Sequence, residues 1–130
     1  MRPPWILLVE DHLYVRRVLT DQLSHASYPV VATASAEEAL VRFAALGIDL
    51  VLTDLHLAGL SGFELAAALR KAGRRGAALP IFGMTAGRIE EDWPRCAEAG
   101  ITALIAKPLS LAQLRSMIEY FCEPSLRSEG

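Results

Sequence analysis

Residues 50–62 read LVLTDLHLAGLSG, an apolar run that ends on a bare carboxylate, Asp54, and then enters a loop closed by Gly62. Leu50-Val51-Leu52 has the consecutive apolar pattern of a strand buried on both faces, and such strands belong to parallel sheets covered by helices. A strand of that kind has no local use for a charge at its end, because taking a lone carboxylate out of water costs several kcal/mol. Neighbouring elements must supply what Asp54 lacks.

The same alternation of short apolar runs with longer segments of helical period extends in both directions, giving five repeats. The strand candidates are Trp5 to Val9, Val30 to Thr33, Asp49 to Thr53, Pro80 to Met84 and Ala103 to Ala106. Capping-box patterns begin at Ser35, Ser61 and Ser110, each with Glu or Gln three residues later. After His12, the residues Val15, Val18, Leu19 and Leu23 fall at helical spacing, and Gly73 is the expected stop of the helix that starts at Ser61. Pro94 divides RIEEDWPRCAEAG, so the fourth helix is expected to begin late, at Asp92 or Trp93, behind a loose loop from Gly87 to Glu91. The fold class is therefore α/β, a doubly wound parallel sheet with helices on both faces.

At 130 residues, 52% of them hydrophobic, the chain suffices for one domain with a real core and no disulfide or metal staple. A net charge of −2 gives no basic field for nucleic acid, and no stretch approaches the ~20 apolar residues of a membrane helix. The start MRPPWILLVEDH has too short an apolar run for a signal peptide, so a soluble, cytoplasmic protein is expected. Cys96 and Cys122 lack metal spacing and are expected to be reduced and structural. The polar end SLRSEG reads as a tail. Eleven of the thirteen cations are Arg, yet one of the two lysines, Lys107, stands beside a proline at the end of an apolar run.

In an open parallel sheet, ligands bind at the carboxyl ends of the strands. The first strand ends in Glu10-Asp11, the third in Asp54, the fourth in Thr85-Ala86 and the fifth in Lys107-Pro108. Three carboxylates crowded at one rim repel unless a cation sits among them. Mg²⁺, a hard ion that accepts a few carboxylates together with waters and phosphate oxygens, fits that requirement. A carboxylate nucleophile, a metal, an ammonium and a hydroxyl donor are what phosphoryl transfer asks of a protein. Asp54, alone on the central strand, is the best-placed nucleophile.

At these residues the chain resembles the receiver domains of two-component response regulators, over roughly residues 5 to 122. The family's acidic pair matches ILLVEDH, its phospho-acceptor aspartate followed eight residues later by glycine matches TDLHLAGLSG, and its strand-end Thr-Ala and Lys-Pro match MTA and IAKPL. The resemblance implies a (βα)5 flavodoxin-like sandwich with strand order 2-1-3-4-5. It implies phosphorylation of Asp54 by a phospho-histidine of a histidine kinase or histidine-phosphotransfer domain. Mg²⁺ would be held by Asp11, Asp54 and the backbone carbonyl of His56, with Glu10 more distant. Lys107 and Thr85 would stabilise the product, and a cis Lys107-Pro108 peptide would aim the ammonium into the site. Output would be a shift of the surface around the fourth helix, fifth strand and fifth helix, with no external turnover. No output domain is evident, so a stand-alone receiver or a piece of a hybrid sensor kinase is expected.

Three departures from the family pattern stand out. Leu57-Ala58 replaces a frequent Met-Pro pair, Ser61 replaces an acid, and Leu104 stands where many receivers carry Tyr or Phe. In the family that ring swings inward as the hydroxyl closes on phosphate, which a leucine cannot report in the same manner. Plainer readings exist for the same residues. Asp11 also suits a helix cap, His56 is expected to lend its carbonyl rather than its imidazole, His12 and His25 fit a helix surface, and Trp93 fits either core or partner contact. Two rival functions are a degenerate receiver that only binds partners and an aspartyl-nucleophile phosphohydrolase. The latter commonly needs a second acid where His56 stands. A Rossmann domain lacks its glycine fingerprint here.

Overall fold

Each of the five apolar runs forms a strand in the computed structural model, which describes residues 3–122. The tail at 123–130 lies outside the described residues. In chain order the elements are β1 (Ile6–Val9), α1 (Leu13–His25), β2 (Val30–Thr33), α2 (Ala36–Ala45), β3 (Leu50–Asp54), α3 (Gly62–Arg70), α4 (Gly73–Ala78), β4 (Ile81–Thr85), α5 (Ile89–Ala99), β5 (Ala103–Ala106) and α6 (Leu111–Cys122). All pairings are parallel and the order is β2-β1-β3-β4-β5, as expected. The three inner strands are buried along their whole length, while the edge strands β2 and β5 are only partly so.

Alternation along each strand splits the core into two layers. Leu7, Val9, Val51 and Ile81 face α2, α3 and α5, packing with Ala39, Phe43, Leu65 and Cys96. Ile6, Leu8, Leu52 and Phe82 face the other way, onto Leu19 and Leu23 of α1 and Leu114 and Ile118 of α6. Cys96 is completely buried and not disulfide-bonded. Burial first, and then the charge of Asp92, push its thiol above the ordinary range despite Arg95.

Helix starts follow the serines. The Ser35, Ser61 and Ser110 side chains accept from the backbone N–H groups of Glu38, Glu64 and Gln113. Only Ser61 has the reciprocal bond, Glu64 back to its own N–H; Glu38 reaches past Ser35 to the N–H of Ala34. At α1 the cap is His12, exposed at the helix start, whose Nδ1 accepts from the Val15 N–H, so the plainer reading of Asp11 as the cap does not hold.

Two expectations are corrected. Helix α5 begins at Ile89, three residues before Asp92, and carries Pro94 inside it. Pro94 cannot donate to the carbonyl four residues back, but the first turn forms ahead of it, because the Arg88 carbonyl accepts from both Glu91 and Asp92 and three acids sit at the positive end of the helix dipole. The segment after α3 contains the short helix α4. Gly73, with φ +78°, ends α3's trailing turn and opens this next helix rather than a loop.

Gly62 is explained by close approach. A Cβ there would overlap the Asp54 carbonyl oxygen and lie 2.9 Å from Leu55 Cα, both backbone atoms that cannot swing aside. Its own N–H donates to the Leu55 carbonyl at 2.9 Å. Gly62→Ala is expected to cost about 1–3 kcal/mol, as overpacking does. A urea midpoint equal to the parent's would contradict that account.

Candidate functional site

Strands β3 and β4 each run one residue further than the sequence suggested, so Asp54 and Thr85 are the last paired residues of their strands rather than the first beyond them. Asp54 lies in register with Met84, and Thr85 with Ala106. The ladder thus fixes both backbones at the carboxyl rim.

There the partner missing from the Asp54 strand end is Lys107. Its Nζ donates to Asp54 Oδ2 at 2.8 Å and to Glu10 Oε1 at 3.2 Å. The Lys107-Pro108 peptide is cis. Glu10 is almost completely buried, and its other oxygen accepts from the His12 N–H at 3.1 Å. A buried carboxylate persists when paired and hydrogen-bonded in this way. Burial pulls the Lys107 pKa down, but the hydrogen bond and charge of Asp54, followed by those of Glu10, outweigh it and leave the ammonium above its ordinary value.

The loop after β3 is pinned from both sides. Asp54 Oδ1 accepts from the His56 N–H at 3.0 Å, and Asp11 Oδ2 accepts from the Ala58 N–H at 3.1 Å. A proline at 58 has no N–H to give Asp11, so the departure at Leu57-Ala58 creates a tie between the first and third strand ends. Leu57 is buried in the α2–α3 side of the core and keeps its role as apolar anchor. The His56 ring is on the surface, edge-on to Phe63.

Carboxylate oxygens of Glu10, Asp11 and Asp54 lie within 4.8 Å of one another. This all-oxygen, anionic donor set fits Mg²⁺ in kind. All the strand-end residues singled out in the sequence meet at this rim except Thr85, whose hydroxyl is engaged elsewhere. It donates to Asp92 Oδ2 at 2.6 Å and accepts from the Gly87 N–H at 2.9 Å. Asp92 is the site-adjacent residue that the sequence does not reveal, because an acid at a helix start carries no local sign of a bond to a hydroxyl seven residues upstream. Leu104 is buried in the core, over Gly83, where a Cβ would come within 3.0 Å of its Cδ1. Trp93, one residue after Asp92, is 39% exposed.

Known proteins resemble this chain in sequence and in fold. Residues 6–119 match the family model described as the response regulator receiver domain. The chain is 32% identical over 118 residues to the sensor histidine kinase RcsC of Salmonella typhi, covering 91% of this chain and 12% of that protein. It is 32% identical over 117 residues to the virulence sensor protein BvgS of Bordetella pertussis, covering 87% of this chain and 10% of that one. The chain therefore spans only a small part of these relatives. Among solved structures, the receiver domain of the sensor histidine kinase PA1611 of Pseudomonas aeruginosa, with a magnesium ion coordinated in its active-site cleft, superposes with a TM-score of 0.84 at 28% identity. The match covers 93% of this chain and 98% of that one. A crystal structure from Chloroflexus aurantiacus gives a TM-score of 0.84 at 30% identity, over the same shares of each chain.

Proposed function

The chain belongs to the response regulator receiver domain family, and on that premise we propose that Asp54 is the residue that takes up the phosphoryl group, acting within a phosphorelay. One carboxylate oxygen attacks the phosphorus of a phospho-imidazole, the P–N bond breaks, and the departing imidazole takes a proton from solvent. The observation that carries this reading is the Lys107 ammonium held between Asp54 and Glu10 beside Asp11. It marks a rim built to bind anionic oxygen next to a nucleophilic carboxylate.

Asp11, Asp54 and the His56 carbonyl would hold Mg²⁺, with Glu10 further out; when bound, the ion supplies positive charge against the phosphoryl oxygens. Lys107 exchanges its Asp54 contact for the incoming group, and the Thr85 hydroxyl donates to a phosphoryl oxygen. The chain catalyses its own phosphorylation and dephosphorylation and nothing outside itself, and residues 5–122 form the receiver core.

The donor is a histidine kinase or a histidine-phosphotransfer domain. Beside Lys107 runs a largely apolar groove of about 410 Å³ lined by Tyr14, Val15, Val18, Met84 and Pro108, with Tyr14 71% exposed. A helical donor domain laid along α1 would bring its phospho-histidine to the rim. The output surface is α5, β5 and α6.

Incubating the folded chain with Mg²⁺ and a small phosphodonor is expected to add one phosphoryl group by intact mass, and Asp54→Asn is expected to add none. Equal labelling of the two proteins overturns the assignment. A folded parent that gains no mass points instead to a receiver that only binds partners, and steady turnover of a phosphate ester points to a phosphohydrolase.

A further inference from the structure

Thr85 is completely buried at the end of β4, and its hydroxyl is engaged twice. It accepts from the Gly87 N–H, and its single proton goes to Asp92 Oδ2 on the first turn of α5 at 2.6 Å. A hydroxyl has one proton to give. At that length, to a carboxylate, the bond belongs to the strong charge-assisted class. The donor role given above to Thr85 needs the same proton.

We propose that Asp92 is a positioning residue that competes with the phosphoryl group for the Thr85 hydroxyl, and that losing this competition is how α5 senses phosphorylation. The proposal rests on Asp54 as acceptor. With Asp54 bare, Thr85 is turned toward α5; with Asp54 phosphorylated, the hydroxyl turns to the phosphoryl oxygen and Asp92 is released. A ligand shifts an equilibrium only through contacts that differ between the two states, and the Thr85–Asp92 bond is such a contact.

The surroundings suit a movable joint. Gly87 leaves room beside the pair, since a Cβ there would lie 3.3 Å from both Asp92 Oδ2 and Thr85 Oγ1. The start of α5 has no side-chain cap at Arg88, and Pro94 has no N–H to brace the turn before it. Loss of the Asp92 anchor therefore falls on a helix end without a side-chain cap, whose first turn is otherwise held by the backbone bonds to the Arg88 carbonyl. Leu104 is packed over Gly83 and cannot follow the hydroxyl. Coupling through Asp92 needs no ring at that position.

The test is a titration of the chain with beryllofluoride and Mg²⁺, followed by amide NMR shifts, in the parent, Asp92→Ala, Asp92→Asn, Thr85→Val and the Asp92→Ala/Thr85→Val double variant. Asp92→Ala is expected to bind beryllofluoride about threefold to tenfold more tightly, because no charged hydrogen bond has to be given up. The neutral but still accepting Asp92→Asn should shift affinity in the same direction by less, and it decides the matter if Asp92→Ala does not fold. In the Thr85→Val background the Asp92→Ala effect should vanish, and amides 88–92 should move less on titration of Asp92→Ala than of the parent. Unchanged or weaker binding by the folded Asp92 variants overturns the proposal, as does equal tightening with Val at 85. A folded parent that does not bind beryllofluoride overturns the acceptor reading itself, and this proposal with it.

Discussion

Replacing Arg70 with alanine is expected to lower stability by about 2–4 kcal/mol while leaving phosphoryl uptake intact. The last residue of α3, Arg70 donates from Nε and one terminal nitrogen to the Gly100 carbonyl at 2.9 and 2.6 Å, and from the other to the carbonyls of Gly76 and Leu79 at 2.8 and 2.6 Å. A fifth bond reaches Thr102 Oγ1 at 3.2 Å, and that oxygen also accepts from the Ile81 N–H at 3.0 Å. One guanidinium thus closes the end of α4, the C-cap of α5 and the entries of β4 and β5. Burial lowers its pKa from the ordinary value, but an arginine stays charged. Truncation removes the donors and leaves their carbonyls short of partners, which is the costly case. Lysine at 70 is a point donor with no fork and should recover only a minor part of the loss. Urea unfolding should show a lower midpoint with an unchanged slope. Because these contacts lie at the amino ends of the strands, opposite Asp54, a loss of phosphorylation in folded Arg70→Ala would refute the separation of the two roles.

Arg70 also shows where the sequence stops being legible. The sheet could be read from consecutive apolar residues, and the rim from four chemically distinctive strand ends, because both signals are local in sequence. Among eleven arginines nothing local distinguishes Arg70, whose bonds to Gly100 and Thr102 span 30 and 32 residues. The segment GRRGAA fails as a local helix signal, since glycine is a poor helix former. It is helical because Gly76 packs directly on the Leu69 carbonyl and Arg70 ties its end. Pro94 by itself points to a late start for helix α5, whereas the Asp92 bond to Thr85 and the shared Arg88 carbonyl fix its first turn upstream. The one-residue extensions of β3 and β4 have the same origin, for a ladder partner decides whether Asp54 and Thr85 count as strand. Periodicity, in short, carries the scaffold, and what it leaves out is a small set of side-chain bonds made between elements.

Lys107→Ala is expected to produce the other large effect, and its size should depend on magnesium. In the metal-free protein the ammonium neutralises the buried Glu10 and the nearly buried Asp54 together. Removing one partner of a buried pair typically costs 3–5 kcal/mol; with Lys107 26% exposed, about 2–4 kcal/mol is expected here. The raised Lys107 pKa sets the pH window. Its contribution is fully present below the ordinary lysine value and is lost only as pH rises through the higher folded value. In EDTA, the gap between parent and variant should therefore stay flat between about pH 6 and 9 as far as this group is concerned. Mg²⁺ should then stabilise Lys107→Ala more than it stabilises the parent, since a divalent ion among Glu10, Asp11 and Asp54 replaces the lost charge and meets no ammonium competing for the Asp54 carboxylate. Thermal melts across a magnesium series separate the cases. Equal stability of the two proteins in EDTA would mean that the pair does not hold the rim together. Equal stabilisation of both by magnesium would mean that the ion and the ammonium do not share the carboxylates, and the rim would lose its standing as a metal site.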